Sequence, residues 1–256
     1  MAESSSENLT MRRSPVHTLL LFAYALYAWL VFGVIGTCAL LGMALPGRER
    51  RRAVARAAAR AFLRLVGMRL TVINAERIPE GQCVIVANHA SYLDGLVFTA
   101  ALPPRFGFVI KREMARVPLA GMFLSRLGSE FVERFNRARS AADARRVLRN
   151  AANGHSLVFF PEGTFSPRPG LMKFHTGAFA TAARVGCPVV PAVVRGTRQA
   201  LPPRSALPRP VPIEIEILPP ITPTADTPDA AAVELRDRAR EAILRHLDEP
   251  DLLAHA

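Results

Sequence analysis

From Ser14 to Gly47 the chain carries no formally charged side chain, and Leu19 to Leu45 is apolar apart from Thr37, with Tyr24, Tyr27 and Trp29 included. As a helix this stretch rises about 40 Å against a hydrocarbon core of roughly 30 Å, so in a membrane it must tilt or bend. Gly33 and Gly36 are the places to bend, and a single span and a broken re-entrant hairpin both satisfy the length. The run is too long for a signal-peptide core and lacks a small-residue cleavage pattern, so it is expected to be retained. Only Arg12 and Arg13 precede it closely, whereas Arg48, Arg50, Arg51, Arg52 and Arg56 follow it. That bias places the rest of the chain on the cytoplasmic side of the inner membrane.

The 256 residues suit one domain plus an anchor. A formal charge of +12, spread along most of the chain, implies an anionic partner surface. No recognition-helix pattern, aromatic RNA-binding signature or metal finger favours nucleic acid, and the apolar run favours a phospholipid membrane. Cys38, Cys83 and Cys187 are odd in number, lie in apolar contexts and lack metal-ligand spacing, so nothing calls for disulfides or zinc. Arg50 to Leu65 alternates arginines with Ala, Val, Phe and Leu at helical spacing. Such a helix can lie on anionic headgroups or pack on the domain, and only its burial separates the two.

Short β-prone runs at 70–74, 83–87, 106–110, 156–160, 189–194 and 213–218 alternate with helical patterns at 93–101, 119–127, 140–153 and 177–185, the pattern of an α/β fold. Ser140 and Asp143 fall near a helix start. A last helix from Pro228 to about His246 has Thr227 as its N-cap and proline at its first position. Leu201 to Pro212 holds five prolines and reads as a surface loop. The expected segments are a tail at 1–15, a membrane-embedded segment at 16–47, a basic amphipathic helix at 48–68, a cytoplasmic domain at 69–248 and a C-terminal tail at 249–256.

The chemistry concentrates in two places. VIVANHASYLDGLVF puts His89 and Asp94 five positions apart where an apolar strand gives way to a helix. On one continuous helix five residues turn the chain by about 140°, so the pair meets only across a bend. A strand ending at Ala87, a turn at Asn88 and His89, and Asp94 in a helical first turn supply that bend. Asp94 then orients the imidazole, and His89 takes a proton from an attacking hydroxyl. In FPEGTFS (160–166) an apolar strand runs into Pro161 and Gly163, where backbone N–H groups are expected to face an oxyanion or phosphate. Glu162 is a candidate to hold a substrate hydroxyl. Thr164 and Ser166 build the turn or touch substrate.

Of 33 lysines plus arginines only Lys111 and Lys173 are lysine, and each follows an apolar or motif-bearing run. Both are candidate phosphate ligands, as is Arg134 in GSEFVERF, which follows another short β-prone stretch. The remaining histidines lack metal spacing, so no metal is assigned. No GxSxG elbow or Walker loop is present, which favours direct transfer over a covalent intermediate.

Four blocks in order resemble the 1-acylglycerol-3-phosphate acyltransferase family of membrane glycerolipid acyltransferases. NHASYLD resembles its NHxxxxD block, GSEFVERF its second, FPEGTFS its third and VVPAVVRG its fourth. The resemblance runs from about Leu70 to Gly196. It implies a mixed central sheet flanked by helices, His89 and Asp94 as catalytic residues, Arg134 and Lys111 at the acceptor phosphate, and Glu162 and Gly163 in substrate binding. It implies no cofactor, with acyl-CoA or acyl carrier protein as donor and a lysophospholipid as acceptor. Phe165 stands where many members carry arginine, which leaves the acceptor open: lysophosphatidic acid, another lysophospholipid or a lyso-amino-acid lipid. A non-catalytic protein binding anionic lipid through Arg50 to Arg64 is the alternative from another class.

Overall fold

The computed structural model describes residues 15–133 and 137–254, with the side chains of 137–141 excepted. Two long helices open the chain, α1 (Pro15–Gly42) and α2 (Arg48–Leu65). The order then runs β1 (Leu70–Ile73), β2 (Val84–Ala87), α3 (Asp94–Ala101), β3 (Gly107–Lys111), α4 (Ala120–Arg126), β4 (Glu130–Val132) and α5 (Arg137–Ala152). It continues with β5 (Leu157–Phe159), α6 (Gly177–Val185), β6 (Val189–Arg195), α7 (Thr197–Ala200), β7 (Ile213–Ile217) and α8 (Pro228–His246).

The seven strands form one mixed sheet in the order β1-β7-β6-β2-β5-β3-β4. Its only antiparallel pair among the described residues is β6 with β7. The central strand β2, Val-Ile-Val-Ala, is buried at every position, as a parallel strand covered on both faces must be. Ile85, Ala87, Val190, Ala192 and Val194 point into a core shared with α2 and α3. Val84, Val86, Val189 and Val193 point the other way, into a core shared with α6 and α8. Near the sheet margin β7 alternates Ile-Glu-Ile-Glu-Ile, its isoleucines buried and Glu214 and Glu216 paired with Arg195 at 2.6 and 2.9 Å. The period-two pattern thus marks a strand with one wet face.

The N-terminal helices do not stand apart from this body. Ala59, Phe62, Leu63, Val66 and Met68 belong to the same core as the sheet, and Tyr24, Ala28, Val31 and Ile35 of α1 pack against it. A boundary at residue 69 would cut through one hydrophobic core. At the turn between the helices a Cβ on Gly42 would lie 2.5 Å from Val54 Cγ1, so glycine permits the close approach. Helix α1 is unbroken through Gly33 and Gly36, long and apolar enough to cross a membrane, and its outer face exposes Leu19, Leu20, Phe22, Leu26 and Leu30.

The arginines of α2 divide by face. Arg52, Arg56 and Arg60, spaced four apart, reach carbonyls of the domain, Arg60 from an exposed position: Arg60 Nε donates to Ala100 O at 2.8 Å and Arg56 Nη2 to Ala101 O at 3.4 Å. Cations thereby meet the open carbonyls and negative dipole end of α3. Arg52 donates to Leu127 O and Arg105 O at 2.8 and 2.7 Å. Arg48, Arg50 and Arg64 stay exposed. This helix therefore packs on the domain with one cationic stripe and offers another to its surroundings.

Two other segments differ from expectation. Helix α5 begins at Arg137, so Asp143 lies well inside it and is 1% exposed rather than capping its start. The segment after α8 is also docked: Leu171 and Asp251 form a bridge, and Leu252 N donates to Leu171 O at 3.1 Å. The loop 201–212 is irregular, as its prolines require, and Ala206 O accepts from Trp29 Nε1 at 2.8 Å, tying α1 to the domain.

Candidate active site

Strands β2, β5, β3 and β4 are adjacent and parallel, so the residues that follow each of them emerge at one edge of the sheet. His89 follows β2, Glu162 follows β5 and Lys111 ends β3. Arg134, two residues past β4, lies outside the described residues. Open parallel sheets characteristically bind ligands at this C-terminal edge.

The bend between His89 and Asp94 is held by the carboxylate itself. Asp94 is fully buried at the start of α3, and its Oδ2 accepts from His89 Nδ1 at 2.7 Å, Ala90 N at 2.7 Å and Ser91 N at 2.9 Å. An ionised oxygen that already accepts from two backbone groups requires a donor from the ring, which fixes the Nδ1–H tautomer and leaves the Nε2 lone pair to receive a proton. The imidazole is 19% exposed. Phe160 stacks on it at 4.5 Å, Phe165 meets it edge-on at 4.8 Å, and Tyr92 closes on Phe165 at 4.7 Å.

Asn88, 3% exposed, extends the pairing of β2 with β6: Val194 N donates to its Oδ1 at 2.8 Å, and its Nδ2 donates to Val194 O at 3.0 Å. Ser91 Oγ donates to Leu201 O at 2.8 Å. These clamps were not singled out in the sequence. Their only signal there is the company of polar residues immediately after a fully apolar strand.

Glu162 joins the two motifs. Its Oε1 accepts from His89 N at 2.7 Å and its Oε2 from Met172 N at 2.9 Å, and it is 5% exposed. Burial lifts its carboxyl to a pKa of about 7, against the pull of those two N–H groups, with Glu249 and Asp94 adding to the rise. Both oxygens thus serve the protein backbone, an arrangement for positioning His89. Gly163, at φ 76°, turns the chain so that its N–H donates to Phe160 O at 2.9 Å, and that amide is engaged within the turn instead of facing an oxyanion. Thr164 and Lys173 are exposed, as is Lys111.

The C-terminal segment secures this loop from behind. Arg198 pairs with Glu249 at 2.9 Å and donates to Ser166 O, while Glu249 accepts from Gly170 N at 2.6 Å. Arg240 pairs with Asp251 and donates to Met172 O at 3.2 Å. A continuous chain of contacts therefore runs from α8 through Met172 and Glu162 to the backbone of His89. Burial pushes the Cys83 and Cys187 thiols up to about 11, leaving both in the inert thiol form.

Comparison with known proteins agrees with this geometry. A family model described as Acyltransferase matches residues 69–195. A chloroplastic 1-acyl-sn-glycerol-3-phosphate acyltransferase from Brassica napus is 36% identical over 131 residues, covering 50% of this chain and 37% of that protein. The 1-acyl-sn-glycerol-3-phosphate acyltransferase of Saccharomyces cerevisiae is 27% identical over 188 residues, covering 72% of this chain and 62% of that protein. The chain thus spans less than two thirds of the length of either relative. The crystal structure of the 1-acyl-sn-glycerophosphate acyltransferase from Thermotoga maritima superposes with a TM-score of 0.71 at 22% identity, covering 90% of this chain and 95% of that one, and so shares its fold. Residues 69–195, which carry the His89–Asp94 dyad and most of the sheet, thus belong to the family described as Acyltransferase.

Proposed function

We propose that this chain transfers a fatty acyl group from a thioester to the free hydroxyl of 1-acylglycerol-3-phosphate, forming phosphatidic acid. The observation that carries the reading is the delivery of a carboxylate-held imidazole and a cationic side chain, His89 and Lys111, to one edge of the sheet. Two strand spacings, about 10 Å, separate β2 from β3, a gap that a glycerol phosphate and the lysine stem bridge together. The names of the relatives support the same acceptor.

In the proposed reaction Nε2 of His89 takes the proton from the acceptor hydroxyl as its oxygen bonds to the thioester carbonyl carbon. Asp94 stabilises the resulting imidazolium. The tetrahedral intermediate collapses by breaking the C–S bond, and the departing sulfur receives the proton from Nε2. The products are the acylated lipid and the free thiol, with no net change in the protein. General-base help of this kind contributes about 10²- to 10⁴-fold. Lys111 and Arg134 would bind the phosphate, with Lys173 near the loop as a further cation. Glu162 and Gly163 shape the loop, and Thr164 borders it.

Helix α1 would rest in the cytoplasmic leaflet of the inner membrane, with the exposed arginines of α2 toward anionic headgroups and the domain in the cytoplasm. Acyl-CoA and acyl carrier protein are both donors compatible with an open sheet edge. The test is transfer of a labelled acyl group from each donor to lysophosphatidic acid, to other lysophospholipids and to a lyso-amino-acid lipid. Preference for lysophosphatidic acid supports the reading. Turnover confined to another acceptor overturns the acceptor, and lipid binding without turnover on any acceptor overturns the enzyme.

A further inference from the structure

Asp143 of α5 is 1% exposed and lies outside every motif of the site, yet it ties together the two chain segments that carry the candidate phosphate ligands. Strands β3 and β4 are parallel neighbours with Lys111 opposite Val132. One residue further on, Arg112 and Glu133 leave the sheet side by side, and Asp143 receives both. Its Oδ2 accepts from Glu133 N at 2.8 Å and Arg112 Nε at 3.3 Å. Its Oδ1 accepts from Arg112 Nη2 and from Arg146 Nη1 at 2.9 Å. Arg146 continues to Glu130 Oε2 at 3.1 Å and to Phe131 O, so helix α5 is stapled to β4 along its length.

The chemistry explains why a carboxylate stands here. Four donors converge on two oxygens, and two of the three donating groups are guanidinium ions. Burial disfavours the charge, but Arg112, the Glu133 N–H and Arg146 outweigh it and hold the carboxyl below its ordinary range. Lys111 and Arg134 are each covalently next to a residue that Asp143 grips. The ends of β3 and β4 are therefore joined by this hub as well as by the last hydrogen bonds of two short strands. With Arg112 and Arg146 paired to Asp143, Lys111 is an exposed cation at this edge.

We infer that Asp143 is the positioning residue of the acceptor-phosphate site, holding Lys111 and the end of β4 together so that a phosphomonoester acceptor is favoured over a phosphate-free one. This rests on the function proposed above. An asparagine would present its NH2 to two of the four donors in either orientation and loosen the hub while keeping the volume.

The test is steady-state acyl transfer by the full chain in lipid, with lysophosphatidic acid and with monoacylglycerol as acceptors, for wild type, Asp143→Asn and Arg112→Met. Arg112→Met removes two of the four donors and keeps the buried carboxylate partnered by Arg146 and Glu133 N, so it reports even where Asp143→Asn folds poorly. The expected result is a rise of about ten-fold or more in KM for lysophosphatidic acid, with kcat, donor KM and monoacylglycerol turnover little changed. Equal losses on both acceptors in both variants, or no change in either, overturn the inference and leave the proposed function standing. A wild-type protein that does not distinguish the two acceptors overturns the phosphate reading and the inference with it.

Discussion

Replacing Asp94 by asparagine separates two roles that the dyad combines. All three donors, His89 Nδ1, Ala90 N and Ser91 N, converge on Oδ2, while Oδ1 is buried with no hydrogen-bond partner. In Asp94→Asn the amide oxygen must therefore take the Oδ2 place, since an NH2 there would face three donors. The ring keeps its Nδ1–H tautomer and its orientation, and the NH2 falls in the unpartnered Oδ1 place at a cost of about 1–3 kcal/mol in stability. What disappears is the negative charge beside the imidazolium. A hydrogen bond to an ionised acceptor exceeds a neutral one by about 1–1.5 kcal/mol, and Coulomb attraction over about 4 Å at an effective dielectric of 20 amounts to about 4 kcal/mol. The rate should fall by roughly 10- to 1,000-fold. Asp94→Ala loses orientation as well and leaves two buried backbone N–H groups unpaired, destabilising the fold by about 2–6 kcal/mol. Initial rates at saturating donor, with thermal melts of each variant, measure both effects. Asp94→Asn as inactive as Asp94→Ala would refute the orientation argument, and Asp94→Asn with the wild-type rate would refute the electrostatic one.

The Glu162 carboxyl, raised by burial from 4.5 to about 7, contributes stability that is fully present below about pH 4.5 and is lost as the pH rises through about 7. The wild type should lose up to about 3 kcal/mol across that window. Urea midpoints at pH 5 and pH 8 should differ more for wild type than for Glu162→Gln, and equal differences would count against a buried, titrating Glu162. Arg52→Met removes donors to Leu127 O and Arg105 O and should cost about 2–4 kcal/mol, whereas exposed Arg50→Met should stay within about 0.5 kcal/mol in the same melts. Phe165→Ala uncovers the flank of His89 to water and should raise thioester hydrolysis relative to acyl transfer, with Phe165→Leu nearer to wild type; an unchanged ratio in Phe165→Ala would show that the ring does not exclude water.

The parts legible in the sequence are those whose physics is local. The apolar runs became strands β2 and β6 because strands covered on both faces carry apolar residues along their length, β7 shows its one wet face as a period-two alternation, and Thr227 caps α8 through a bond three residues away, from Ala230 N. The bend between His89 and Asp94 was likewise readable, since five residues on one helix cannot meet. What the spacing hid is long-range. Glu162 reads as a substrate ligand beside Gly163, but 73 positions separate it from the His89 amide that it accepts from. The stripe of Arg52, Arg56 and Arg60 is defined by carbonyls about 40 to 75 residues away, and no helical periodicity reveals whether an arginine faces lipid or a helix terminus. The docking of 247–254 on the FPEGTFS loop depends on Arg198 and Arg240, whose partners are set by tertiary packing alone.

The central claim, that His89 is the base acting on an acceptor hydroxyl, is tested most directly by one comparison. Purified wild type and His89→Ala, both folded and bound to anionic vesicles, are given labelled acyl thioester and lysophosphatidic acid, and phosphatidic acid is quantified. The expected result is turnover by wild type and a loss of at least about 100-fold in the variant. Near-normal transfer by a folded His89→Ala would contradict it.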